Sequence, residues 1–185
     1  SRAKAGEKAS VLIKVNTLTD AEMIDHLYRA SQAGVRVQLN VRGVCCLRPG
    51  IKGLSENITV TSLVGRFLEH ARICAFHSGG NEKVYIASAD WMPRNLDRRV
   101  ELMIPLADPE SRRQVLKIAK AYFKDNRKAC RLLPDGTYER VEKGKSPVRA
   151  QEAFYRQACE AARRKEQTKP TVLEPYRGAG RVRRK

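Results

Sequence analysis

Residues Val11–Gly43 read VLIKVNTLTDAEMIDHLYRASQAGVRVQLNVRG, and this stretch sets the class of the fold. Val11 to Asn16 is a short apolar run that predicts a strand. Thr19 to Glu22 carries the Thr-x-x-Glu spacing of a capping box, so a helix is expected from there to Ala33, stopped by Gly34. Val35 to Gly43 alternates apolar with polar side chains and predicts a second strand. Strand, helix and strand within 33 residues make a βαβ unit, whose strands lie parallel across a right-handed connection. Ligands of such sheets gather beyond the carboxyl ends of the strands, where Asn16 and Arg42 stand.

The pattern continues on the carboxyl side. Cys46 to Glu56, with Pro49, Gly50 and Gly53, is a loop, and Ile58–Val64 and Arg72–Phe76 read as short strands. His77 to Glu82 (HSGGNE) is a turn, followed by expected strands at Lys83–Asp90 and Arg98–Leu106. Between them Pro93 argues against a helix in WMPRNLD. Asp108 and Pro109 open a helix with Val115, Ile118, Ala119 and Tyr122 on one face. A two-strand excursion near RKACRLL and GTYERV follows, and Ser146 with Pro147 opens a last helix, Val148 to about Lys165. The fold class is α/β: one domain over residues 1–165, then a basic, disordered tail over 166–185.

The formal charge of +17 and 42% hydrophobic content together describe a folded chain whose surface attracts polyanions. From Arg163 onward nine bases face two acids, which leaves a net +10 on the part expected to fold. Nucleic acid, nucleotides, inorganic phosphate chains and anionic lipid all fit that charge. No run of 18 apolar residues suggests a membrane span. Five cysteines with no CxxC pair suit reduced thiols in a cytoplasmic protein, and Cys45 and Cys46 read as packed small residues. The chain starts at Ser1 and reaches a strand within about ten residues, as a piece of a longer polypeptide would.

Several chemistries lack their motifs. There is no GxxxxGK[ST] and no GxGxxG, and the three histidines, His26, His70 and His77, have no metal spacing. Aromatics are only 6% and dispersed, which weakens base stacking as a binding mode. His26 sits among polar neighbours on a helix and His77 in a turn. His70, in GRFLEHARICAF (Gly65–Phe76), keeps company with Arg66, Glu69 and Arg72, and reads as a structural histidine or a phosphate-handling one. Arg42 at its strand end suits bidentate phosphate contact or an ordinary ion pair. Arg94, Arg98 and Arg99 either solvate a turn or join a site.

EHAR (Glu69–Arg72) followed by YIASADWMPRN (Tyr85–Asn95) resembles a half-site of the phospholipase D superfamily. His70 and Arg72 take its His-x-Lys places, and Ser88 and Asp90 its Ser-x-Asn places. Arginine for lysine and aspartate for asparagine argue against lipid hydrolysis. The whole stretch from Val11 to Lys165 resembles the carboxyl-terminal catalytic domain of bacterial polyphosphate kinase. That resemblance implies a phospholipase D-like mixed sheet flanked by helices. It also implies reversible transfer of the terminal phosphate of ATP to polyphosphate through a phosphohistidine in an upstream domain. His70 matches the family's second active-site histidine, and Arg42 and Arg99 match arginines that contact nucleotide phosphates.

The implied substrates are ATP, ADP and polyphosphate. Mg²⁺ is implied for the full-length enzyme, with ligands outside this chain, and no metal residue is assigned here. The implied partners are upstream domains of the same polypeptide. A homo-oligomer is compatible with this, as is peripheral membrane attachment of a cytoplasmic enzyme. On this reading the chain alone has no kinase turnover. Two alternatives remain at this stage: a basic nucleic-acid-binding module, and a phospholipase D-type phosphodiesterase that acts as a dimer.

Overall fold

The computed structural model describes residues 6–167 except 143 and 145. The quoted βαβ unit forms as expected: β1 (Ala9–Val15), α1 (Ala21–Gln32) and β2 (Arg36–Val41), with β1 and β2 parallel from Ser10 opposite Arg36 to Val15 opposite Val41. The helix cap sits one residue later than the Thr-x-x-Glu spacing suggests. Asp20 is the N-cap, accepting from the Met23 N–H, because a carboxylate caps as well as a threonine hydroxyl. Gly34 ends the helix at φ +83°.

The remaining elements are β3 (Ile58–Leu63), β4 (Ile73–Ser78), β5 (Asn81–Ala87), α2 (Pro93–Leu96), β6 (Met103–Pro105), α3 (Pro109–Tyr122), β7 (Ala129–Leu132), β8 (Tyr138–Arg140) and α4 (Ala150–Gln167). They build one eight-stranded sheet in the order β6-β5-β4-β1-β2-β3-β7-β8. Only β1, β2 and β3 run parallel; all other neighbours are antiparallel. This mixed sheet flanked by helices is the single α/β domain expected above.

Four local expectations are corrected. HSGGNE is mostly strand: β4 and β5 run to Ser78 and from Asn81, joined by Gly79 and Gly80, both at positive φ, the conformation a two-residue hairpin needs. WMPRNLD contains a helical turn, since Pro93 occupies its first position, where a missing N–H costs nothing. The strand expected over Arg98–Leu106 shrinks to three residues, because Arg98, Arg99 and Val100 lie exposed in a loop. Cys46 is exposed rather than packed, while Cys45 is half-buried. The expected tail, apart from the helical backbone of 166 and 167, lies outside the described residues.

The two faces of the sheet differ. On one, Ile13, Val15, Val37, Leu39, Val41, Ile58 and Val60 pack with Ile24 and Leu27 of α1 into an aliphatic core. The other is covered by α3 and α4 and holds Ile73, Ala75, Val84, Leu116 and Ala119 at one end and Leu63, Tyr122, Ala129 and Ala150 at the other. Between these two clusters the registers place Lys14 beside Asn40 and Asn40 beside Thr61, all three buried. Among the described residues no helix is long and apolar enough to cross a membrane.

Candidate functional site

The carboxyl ends of β1 and β2 diverge into loops, and the residues there are tied into one network. Arg42 Nε donates to Asn16 Oδ1 at 2.5 Å. The backbone N–H groups of Asn16 and Thr17 donate to Asp90 Oδ1 at 2.7 and 3.1 Å. Arg72 Nη2 donates to the other oxygen, Asp90 Oδ2, at 2.8 Å. Arg72 Nη1 lies 2.9 Å from His70 Nδ1 and donates to the His70 carbonyl at 3.0 Å. Arg42 and His70, 28 positions apart in sequence, are thus joined through three intermediate residues.

Local structure explains how Asp90 reaches this point. Trp91 is buried, its N–H donates to the Thr17 carbonyl, and its own carbonyl accepts from Thr19 and Asp20. That docks the segment after β5 onto the β1–α1 loop, with Asp90 beneath the ends of β1 and β2. Burial works against a charged Asp90, but the hydrogen bond from Arg72 and those from the Asn16 and Thr17 backbone outweigh it and hold the carboxyl below the usual range. The Arg72–Asp90 pair is therefore a fixed ionic platform, and Arg72 presents its remaining face to the exposed His70. Arg72 Nη2 also lies 3.3 Å from His70 Nε2, so the guanidinium faces both ring nitrogens.

A second group adjoins the first. Glu101 accepts from the Ser88 hydroxyl and, at 2.6 Å, from Asn95 Nδ2, and the Leu102 N–H donates to Ser88 Oγ at 2.9 Å. The Ser88 and Asn95 bonds, then the Arg99 and Arg72 charges, hold Glu101 below the usual carboxylate range. Arg99 itself is exposed and joins the site through charge. So the structure links Arg42 and His70 by contact and sets Arg99 at the rim. Arg94 and Arg98 stay exposed, and Asp97 closes the α2 turn. His26 is exposed 3.8 Å from Glu22, and His77 lies in β4 opposite Glu82, so neither belongs to the site.

Sequence reading missed Glu101 and Lys14. Nothing in RRVELMIPL marks Glu101, since an acid in an alternating segment reads as a solvent-facing residue. Lys14, between Ile13 and Val15, reads the same way, yet it is fully buried. Burial lowers its pKa to about 8, with Glu69 pulling it up, Arg42 down, Asp90 up and Arg72 down. Lys14 thus sits directly behind the Arg42–Asp90–Arg72 group. Two unpartnered buried atoms mark the same place, Arg72 Nε and Asn95 Oδ1.

The donor set suits an anion. Arg72 touches His70, Arg42 is tied to it through Asn16 and Asp90, and the carboxylates Asp90 and Glu101 already accept hydrogen bonds. Among the described residues no three His, Cys, Asp or Glu side chains gather for a metal ion. Two of the thiols are held protonated: burial pushes Cys74 up to about 12 and Cys45 up to about 11.

Residues 1–151 match the family model described as polyphosphate kinase C-terminal domain 2. Over 178 residues the chain is 49% identical to a polyphosphate kinase of Rhodopirellula baltica, covering 95% of this chain and 21% of that protein. The crystal structure of polyphosphate kinase from Porphyromonas gingivalis superposes with a TM-score of 0.82 at 45% identity, over 90% of this chain and 25% of that one. NucT from Helicobacter pylori shares the fold at 14% identity and a TM-score of 0.50, over 66% of this chain and 83% of that one. The chain spans about one fifth of the length of the curated relative it matches.

Proposed function

This chain belongs to the polyphosphate kinase family, as its C-terminal domain 2, and on that premise we propose that it supplies one half of a phosphotransfer site. In the reaction proposed, a histidine of an upstream domain attacks the terminal phosphorus of ATP. A P–N bond forms, the bond to the bridging oxygen breaks, and ADP leaves; the phosphoryl group then passes to polyphosphate. Arg42 and Arg99 bind the nucleotide phosphates, and His70 acts as the second active-site histidine. The observation that carries this reading is the continuous path from Arg42 through Asn16, Asp90 and Arg72 to His70.

The chemistry suits such a division of labour. The transferred phosphoryl passes through a loose transition state with charge spread over its oxygens, so positioned cations do most of the catalytic work. Arginines tied down before substrate arrives need no reorganisation at that moment. The leaving phosphate ionises near pH ~6 and needs little proton donation. His70 donates a ring N–H to the bridging oxygen as charge accumulates there. Magnesium would neutralise the phosphate oxygens. This half-site gives it no uncommitted carboxylate, so its ligands are assigned to the upstream domains and no step here runs through it.

With the nucleophile assigned to an upstream domain, this domain supplies half of the site. Val100, Leu102, Met103 and Ile104, all exposed along the segment that leads from Arg99 into the edge strand β6, suit the docking of a second domain across the site. The chain on its own is expected to bind tripolyphosphate and ADP weakly, with affinity falling as salt rises, and to make no polyphosphate from ATP. Steady ATP-dependent synthesis by the chain alone would overturn the half-site reading. Tighter binding of single-stranded nucleic acid than of polyphosphate at equal charge would favour a nucleic-acid module.

A further inference from the structure

His70 lies on a segment without regular structure, residues 64–72 between β3 and β4. Strand pairing therefore does not fix it. Instead one side chain from the far end of the described fold holds it: Gln151, in the first turn of α4 and buried. Gln151 Oε1 accepts from the Phe67 N–H at 2.9 Å, while Nε2 donates to the Phe67 carbonyl at 2.8 Å and to Glu69 Oε1 at 2.7 Å. A single amide thus satisfies both backbone groups of Phe67, as a neighbouring strand would, and fastens the residue next to His70 as well.

The other oxygen of Glu69 accepts from the Tyr122 hydroxyl, at the end of α3, at 2.6 Å. Burial, then this bond to Glu69, pushes the phenol well up, so it stays a donor. Behind them the Lys14 ammonium lies 5.3 Å from the Tyr122 ring centre and is drawn to Glu69. Gly65 completes the fit, because a Cβ there would stand 2.3 Å from Gln151 Oε1. Glu69 and Gln151 are each more than nine-tenths buried.

We propose that Gln151 and Glu69, backed by Tyr122, are positioning residues that hold the His70 segment against Arg72, which makes α4 part of the phosphate site. This rests on the assignment of His70 made above. Buried polar groups that satisfy one another fully are expensive to leave half-made, so a loop held this way has one position rather than many. The ring of His70 inherits that order through the contact with Arg72.

The test uses the whole chain and histidine ring NMR at a temperature well below unfolding. His26 and His77, remote from the cluster, serve as internal references, and assignment comes from single substitutions. Gln151→Ala is expected to shift and broaden the His70 ring signals, while those of His26 and His77 stay unchanged. Tripolyphosphate affinity is expected to fall about tenfold, as for a lost hydrogen bond to a charged group. Tyr122→Phe removes only the hydroxyl, with little change of volume, and is expected to act in the same direction by about two- to threefold. It decides the matter alone if Gln151→Ala does not fold.

A purely structural role would lower the melting temperature and leave the His70 signals of the folded variants as in the wild type. That result in Tyr122→Phe, or in a folded Gln151→Ala, overturns the proposal. His70→Ala provides the separate control. If it binds tripolyphosphate as the wild type does, the assignment of His70 fails, while the ring spectra still decide whether the clamp exists.

Discussion

The two faces of the central sheet are built from the same three parallel strands and do different work. Toward α1, Val37, Leu39, Val41 and Val60 are entirely dry. Toward α3 and α4, one residue away on each strand, Lys14, Asn40 and Thr61 are also buried but polar. The first face is what makes the domain fold, since apolar area removed from water is its only contribution. The second lies under the Arg42–His70 network and spends some of that stability on charge and hydrogen bonds. A fold that needed only a core would have put leucine at position 14.

The largest effect should come from the dry face. Leu39→Ala is expected to destabilise the chain by about 2–5 kcal/mol in urea unfolding, and the variant molecules that remain folded should bind tripolyphosphate as the wild type does. If affinity fell among folded molecules too, the faces would not be separable. Lys14 comes next, and its signature is pH. Its folded pKa of about 8 lies below the unfolded value of 10.5, so the unfolded chain holds more protons between those two values. Stability should therefore rise with pH through that window, by on the order of 3 kcal/mol relative to Lys14→Met. Parallel pH curves for the two proteins would remove Lys14 from the account. A smaller effect, about 1 kcal/mol, is expected for Asp20→Ala, which removes the α1 cap with no change in phosphate affinity.

The contrast between the faces also separates what the sequence reveals from what it conceals. The α1 face is legible because aliphatic residues alternate within each strand, Ile13 and Val15, then Val37, Leu39 and Val41, then Ile58 and Val60, and Gly34 ends the helix between the first two strands. The antiparallel edge is less so: Val100 and Leu102 alternate with polar residues as a strand would, but they face solvent, and β6 keeps three residues. Pro93 reads as a breaker when it opens a helical turn.

In the site, Arg42 and His70 could be named through family resemblance, and Asn16 through its place at a strand end. Lys14 could not, because a lysine in a strand is ordinarily the solvent-facing member of an alternation. Nor could the pairing of Glu69 with Gln151, since 82 positions separate them and only the packing of α4 brings them together.

The central claim is that phosphate binding belongs to the Arg42–His70 network and not to the general charge of +17. The most direct measurement is tripolyphosphate affinity at physiological salt for the wild type, Arg42→Ala and Arg113→Ala, two variants with the same loss of charge, Arg113 lying on the exposed side of α3. Arg42→Ala should weaken binding about tenfold or more, as the loss of a charge-assisted contact does, with Arg113→Ala scarcely different from wild type. Equal weakening by both would contradict the claim and leave only a basic surface.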